Sequence, residues 1–237
     1  MKIVACTPTT KRGWAWDFSR HCMDTQLLKP DLWVIVDNGT EWACAAHRSD
    51  VLYEQVAEPK PIGWLRNRCL ELALEQGADY IVFWDDDDYY PPTRVSASIA
   101  ALEATPTADI AGSSKMYLLL TRENVLMSTG PFHDKHATAA TMVVRRRYAE
   151  THRFDPTKLR GEELQFTKEW TATMVQLVPE DVIVVMGHAR NTVNKSELLR
   201  TPERFNATVL NSANGRMVVR MKWTHFPWDL FRSTFSV

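Results

Sequence analysis

The feature that most constrains this chain is an alternation of short apolar runs with helix-spaced stretches over its first ~105 residues. "KIVACT" is an apolar run entering the breaker cluster "PTTKRG", and "DLWVIVDNGT" repeats it with a strand from Leu32 to Val36 and a turn at Asp37-Asn38-Gly39. Between them, "WAWDFSRHCMDTQLL" spaces Trp14, Phe18, Cys22 or Met23, and Leu27 as one face of a helix. The unit recurs. "VLYEQV" predicts a third strand, and "GWLRNRCLELALEQG" a helix burying Leu65, Cys69, Leu72 and Ala73, with Gly77 at the C-terminal cap. "YIVFW" predicts a fourth strand, and "PTRVSASIAALEATP" a helix with Val95, Ile99 and Leu102 inward, stopped by Pro106. Strands joined by helices must pair in parallel, so this half predicts a doubly wound α/β sheet.

Beyond it the rhythm changes. "IAGSSKMYLLLTRENVLM" and "ATMVVRRR" read as strands without intervening helices, which implies antiparallel or mixed pairing. "GEELQFTKEWTATM" reads as a helix, "DVIVVMGH" as a strand and "PERFNATVLNSA" as a short helix; the aromatic, Pro-broken tail from Trp223 to Phe235 fits core, an interface or a cap.

At 237 residues with 45% hydrophobic and 24% charged side chains, the chain can bury a sizeable core. Its net charge of −1 supplies no global field toward nucleic acid or membrane. The cysteines Cys6, Cys22, Cys44 and Cys69 have no metal-site spacing and read as reduced thiols. No apolar run approaches the ~20 residues of a membrane span, and "MKIVACTPTT" is too short an apolar run for export, so the expected location is cytoplasmic.

The fourth strand runs directly into "DDDDYYPP". In open α/β sheets ligands bind beyond the carboxyl ends of the strands, where Asp85 to Asp88 lie. Four adjacent carboxylates repel one another, and a hard divalent cation would relieve that repulsion. If the backbone stays extended, Asp85 and Asp87 face one side and Asp86 and Asp88 the other. The competing reading is a solvated acidic loop, against which stands the bracketing of the run by aromatic residues and prolines.

The ordered series "KIVACTPTTKR", "VIVDNG", "GWLRNRCLELA", "YIVFWDDDDYYPP", "HATAATMVVRR", "GEELQF" resembles the inverting family 2 glycosyltransferases of GT-A fold. The resemblance implies a Rossmann-like, mostly parallel sheet flanked by helices, with an antiparallel C-terminal extension. It covers 1–195, a nucleotide-binding half to about residue 105 and an acceptor half from about 106, with 196–237 packed on the same domain. It implies that Asp85 and Asp87 contact a nucleotide-sugar and its Mn2+ or Mg2+, with Asp86 on the donor side and Asp88 as an alternate ligand. Asp37 would hydrogen-bond the nucleobase or serve only as a turn residue. Arg66 and Asn67 would reach toward the nucleotide. So would the loop Thr7, Pro8, Thr9, Lys11 and Arg12, whose cations would meet phosphate. The acidic pair maps the catalytic base onto Glu163, with Glu162 as the alternative; without the resemblance, two acids there merely suit a helix N-terminus. His188 would be a third metal ligand or a structural residue, and His136 and Trp170 would line the acceptor side.

The implied reaction moves one sugar from a nucleotide-diphosphate sugar to an acceptor hydroxyl. The QxxRW motif of processive synthases and the Gly-rich signature of nucleotidyltransferases are both missing. The acceptor is a glycan, a lipid-linked sugar or a modified base of phage DNA. The DNA acceptor would call for a basic groove, from Arg145 to Arg147, Lys158, Arg160 and Lys168. The rivals are a metal-dependent phosphoryl-transfer enzyme or nuclease and an inactive nucleotide-sugar-binding module.

Overall fold

The computed structural model describes residues 1–191, 195–211 and 223–235. Strands β1 (Ile3–Thr9), β2 (Leu32–Asp37), β3 (Val51–Gln55) and β4 (Tyr80–Phe83) fall where the apolar runs predict them. Helices α1 (Trp16–Asp24), α2 (Ile62–Glu75) and α3 (Arg94–Ala104) fill the intervals. Gly77 follows α2 with φ +76°, the left-handed geometry its cap position requires.

The later strands are β5 (Ile110–Gly112), β6 (Met116–Leu120), β7 (Val125–Thr129), β8 (Val143–Arg145), β9 (Met174–Gln176), β10 (Val184–Gly187) and β11 (Ala207–Asn211). A seven-stranded sheet has the order β3-β2-β1-β4-β8-β5-β9, and β8 alone runs against its neighbours β4 and β5. A second sheet, β10-β6-β7-β11, mixes one parallel pair with two antiparallel ones. The mixed pairing expected of the second half is present.

Every residue of β1 is buried, because both of its faces are covered. Ile3 and Ala5 pack with α1, Trp33, Trp84 and the second sheet, while Val4 and Cys6 pack with the Leu65, Cys69 and Ala73 face of α2. A short helix α4 (Arg146–Ala149) follows β8, so Arg146 and Arg147 are helical rather than split across a strand.

Two segments differ from the sequence reading. Of "GEELQFTKEWTATM", only α5 (Glu163–Phe166) is helical. Lys168, Glu169 and Trp170 then adopt φ of +51°, +53° and +61°, a left-handed turn that ends the helix before β9. "PERFNATVLN" forms a 3-10 turn at Pro202–Phe205, a left-handed Asn206 and then β11, which pairs with β7; Ser212 and Ala213 lie outside the described residues. The tail supplies helix α6 (Trp228–Phe235). Trp223, Phe226 and Phe231 are buried, and Phe235 packs edge-on against Phe18 of α1, so the described tail is core.

Candidate active site at the aspartate edge

The parallel strands deliver Thr9, Asp37 and the aspartate run to one edge of the large sheet. Strand β4 stops at Phe83 and residues 86–88 turn. The expected in-and-out alternation of the four acids is therefore lost, because period-two geometry ends with the strand. Each carboxylate goes to a different set of partners.

Asp86 accepts hydrogen bonds from Thr9 Oγ1 at 2.6 Å and Arg12 Nη1 at 2.5 Å. The same Arg12 nitrogen lies 2.9 Å from Asp87 Oδ2, so one guanidinium bridges two adjacent acids. Asp87 Oδ2 is also 3.0 Å from His188 Nε2 and accepts from Asn191 Nδ2 at 3.3 Å. Asp88 turns the other way and accepts the Met186 N–H at 2.8 Å, fastening the run to β10. Asp85 forms an ion pair with Arg66 Nη2 at 2.9 Å, and its own N–H donates to the Tyr90 hydroxyl at 2.7 Å.

These groups are buried with their charges. Asp86, Asp87 and Asp88 are 1%, 5% and 3% exposed, which excludes the solvated acidic loop. Burial raises Asp86 and Asp88 above the usual carboxylate range despite Arg12 and Lys195. Burial also pushes Asp87 upward, but the His188 hydrogen bond together with Arg12 and Lys195 overcomes it and holds Asp87 below that range.

Arg66 joins this edge to the acidic pair. Its Nε donates to Glu162 Oε1 at 2.7 Å while Nη2 holds Asp85. Gly63 makes that approach possible, since a Cβ there would lie 1.9 Å from the Asp155 carbonyl oxygen and 3.2 Å from Glu162 Cβ. Glu162 is thus locked in an ion pair. Glu163, the first residue of α5, is half-buried, and burial followed by the Glu162 charge raises its pKa to about 7.

The remaining predicted residues divide. Thr7 Oγ1 is occupied as the acceptor of Trp33 Nε1 at 2.8 Å. Pro8 is buried in β1, and Lys11 is exposed with φ +50°, leaving Arg12 as the loop cation aimed at the acids. Asn67, expected at the nucleotide, instead pairs both its amide groups with the Phe154 backbone at 2.8 and 2.9 Å, so it braces the loop leading to Glu162. Asp37 is fully buried. Its Oδ2 accepts from Trp42 N and Tyr53 Oη, while Oδ1 has no partner, and burial raises its pKa. Arg145 to Arg147 cannot form a groove with the aspartates: Arg145 pairs with Tyr80 at the start of β4, the opposite edge of the sheet. Arg146 and Arg147 are ion-paired to Glu150 and Asp109.

Sequence reasoning missed Asn191, Tyr90 and Lys195. "GHARN" carries the one usable signal, since an asparagine three residues after His188 can close a turn back onto it, as the 2.7 Å bond from His188 N–H to Asn191 Oδ1 does. Sequence reasoning gave Arg94 no role. It is fully buried and donates to the Ala140 and Met142 carbonyls, supporting the loop beside Asp85.

Two neighbouring ligands of an octahedral cation, each ~2.1 Å from it, stand ~3.0 Å apart. Asp87 Oδ2 and His188 Nε2, here joined by a hydrogen bond of that same length, are the oxygen and nitrogen donors that a divalent ion could share. No third His, Cys, Asp or Glu completes such a cluster among the described residues.

The fold is that of GT-A glycosyltransferases. Residues 1-349 of TarS from S. aureus in complex with UDP-GlcNAc superpose with a TM-score of 0.60 at 16% identity, over 100% of this chain and 73% of that one. The same protein in complex with UDP gives 0.59 at 16% identity, over 100% and 72%. The mannosyltransferase PcManGT from Pyrobaculum calidifontis, in complex with GDP-Man and Mn2+, gives 0.59 at 12% identity, over 98% and 72%. No protein-family model matches the sequence, and no curated protein matches it in sequence. No helix among the described residues is long and apolar enough to cross a membrane.

Proposed function

We infer that this chain is an inverting glycosyltransferase that moves one sugar from a nucleoside diphosphate sugar, such as a UDP- or GDP-sugar, to an acceptor hydroxyl. The observation that carries the reading is the Arg66 bridge. It ties Asp85 of the acid run to Glu162 and so sets the raised, half-buried Glu163 beside the same edge. The GT-A neighbours with UDP-GlcNAc and GDP-Man supply the donor class.

Asp37 Oδ1, buried and unpaired, would accept the N–H of a nucleobase. Arg12 would exchange an aspartate for a phosphate oxygen. Asp87 and His188 would hold Mn2+ or Mg2+; when bound, the cation would neutralise charge on the diphosphate. Glu163 accepts the acceptor's hydroxyl proton as that oxygen bonds to the anomeric carbon and the bond to the diphosphate oxygen breaks, which inverts the centre. A carboxylate held near pKa 7 is well matched to this task at neutral pH.

The test is calorimetric titration with UDP, GDP, dTDP and CDP, with and without Mn2+, on the native chain and an Asp87→Asn variant. Binding of one nucleotide that needs both Mn2+ and Asp87 is expected. No metal-dependent binding of any of the four overturns the reading.

A further inference from the structure

We propose that Phe132, His133, His136 and Trp170 form the seat for the acceptor, and that the acceptor is an uncharged sugar ring of a glycan rather than a nucleic acid; this rests on the transferase reading. The four rings converge from two distant segments. His136 and Trp170 stand 4.5 Å apart between centroids at an interplanar angle of 37°, Phe132 and His136 4.7 Å apart, and His133 and Trp170 6.1 Å apart.

The cluster is attached to both parts of the candidate site. The segment after β7 runs into the 3-10 turn Ala139–Thr141, and the Ala140 carbonyl accepts from the Tyr90 hydroxyl, the same group that receives the Asp85 N–H. Trp170 lies on the turn that ends α5, whose first residue is Glu163. The loop is pinned as well: Gln176 Nε2 donates to the carbonyls of Asp134 and His136, and a Cβ on Gly112 would meet Ala137 Cβ at 2.5 Å.

Three features say what the cluster receives. First, the left-handed turn at Lys168, Glu169 and Trp170 is a conformation that side chains with a Cβ disfavour, and such strain persists where the surroundings impose it. The turn is closed by Glu169 N–H onto the Leu164 carbonyl at 2.8 Å, and it leaves Trp170 only half-buried, with Phe132 43% exposed beside it. Flat, partly exposed rings match the C–H face of a sugar. Second, His136 Nδ1 is buried and has no hydrogen-bond partner, while burial and His133 keep the imidazole neutral near neutral pH. A neutral imidazole donates to or accepts from a hydroxyl, whereas a phosphate would want a cation. Third, the charges carried by the two segments cancel, Asp134 and Glu169 against Lys135 and Lys168. A polyanion needs a positive track, and Arg146 and Arg147 are already ion-paired to Glu150 and Asp109.

The experiment is saturation-transfer NMR on the full chain with neutral methyl glycosides and disaccharides, and in parallel with a short DNA duplex carrying hydroxymethylated bases. Nucleotide titration is run on the same samples. The proposal expects transfer to the C–H protons of one sugar face, reduced at least about fivefold in Phe132→Ala and Trp170→Phe, with nucleotide affinity unchanged. Phe132 is exposed enough that its truncation leaves folding intact. Saccharide binding that survives both substitutions, or binding of the DNA in place of every saccharide, overturns the seat. Loss of nucleotide binding in the native chain alone would instead sink the transferase reading, since the saccharide signal is read independently of it.

Discussion

The aspartate run and the aromatic cluster are built in opposite ways. At the aspartates each carboxylate has an assigned partner: Arg66 for Asp85, Thr9 and Arg12 for Asp86, Arg12 and His188 for Asp87, and a backbone N–H for Asp88. At the aromatic loop the contacts are ring on ring, and one buried imidazole nitrogen has no partner. Buried like charges cannot be left to find their places when a ligand arrives; they must be held beforehand by counter-charges. Ring surfaces carry no such requirement and tolerate change.

The comparison is broken most directly at Glu163. Glu163→Gln keeps size and hydrogen bonding but cannot take a proton, so turnover should fall by about 10²–10⁴-fold while nucleotide titration stays unchanged. Equal activity in the variant would shift the base elsewhere and detach α5 from the chemistry. Next in size is Arg66→Met. It leaves Asp85 and Glu162 facing each other in a buried place without their shared cation, and the expected loss is about 3–5 kcal/mol in urea unfolding. A loss below about 1 kcal/mol would mean that water reaches this bridge and that it is not the fixed connection between the acid run and α5.

The pH profile sharpens the same contrast. With its pKa raised to about 7, Glu163 is the active, deprotonated base only above that value. Turnover should therefore drop about tenfold for each pH unit below 7 and level off above it. His136, held down at about 4 by burial and His133, stays neutral throughout that range, so acceptor affinity should not follow the profile. Acceptor KM that changed in step with turnover between about pH 6 and 8 would place a titrating group in the acceptor seat.

What was legible in the sequence tracks how local its cause is. The first four strands and three helices were readable because apolar periodicity records which face each element buries, and Gly77 marked a cap. The acids were legible as a site but not in their pairing. Thr9 and Arg12 are more than seventy positions from Asp86, and the alternation failed because β4 ends two residues before Asp85. The helix expected through "TKEWTATM" failed for a different reason. Lys and Glu favour helices, and nothing in their identity announces a left-handed turn that tertiary contacts impose. Asn206 was the better clue, since asparagine tolerates that conformation, and it marks where the expected helix gives way to β11.

That left-handed turn yields the smallest effect and the finest test of the contrast. Trp170→Gly removes the ring and also the Cβ that makes φ +61° unfavourable. The half-buried indole contributes about half of the ~1.5–3 kcal/mol that full burial of a large side chain gives, and relief of the left-handed conformation returns ~1–2 kcal/mol, so the two nearly cancel. Urea unfolding of the variant should lie within about 1 kcal/mol of the native chain, with nucleotide affinity unchanged and acceptor KM raised by about tenfold. A residue strained for the sake of the core would behave otherwise: its loss would cost several kcal/mol and leave acceptor KM alone. At the aspartate edge the groups proposed to bind are also the groups that hold one another in place, so function and stability are more closely coupled there.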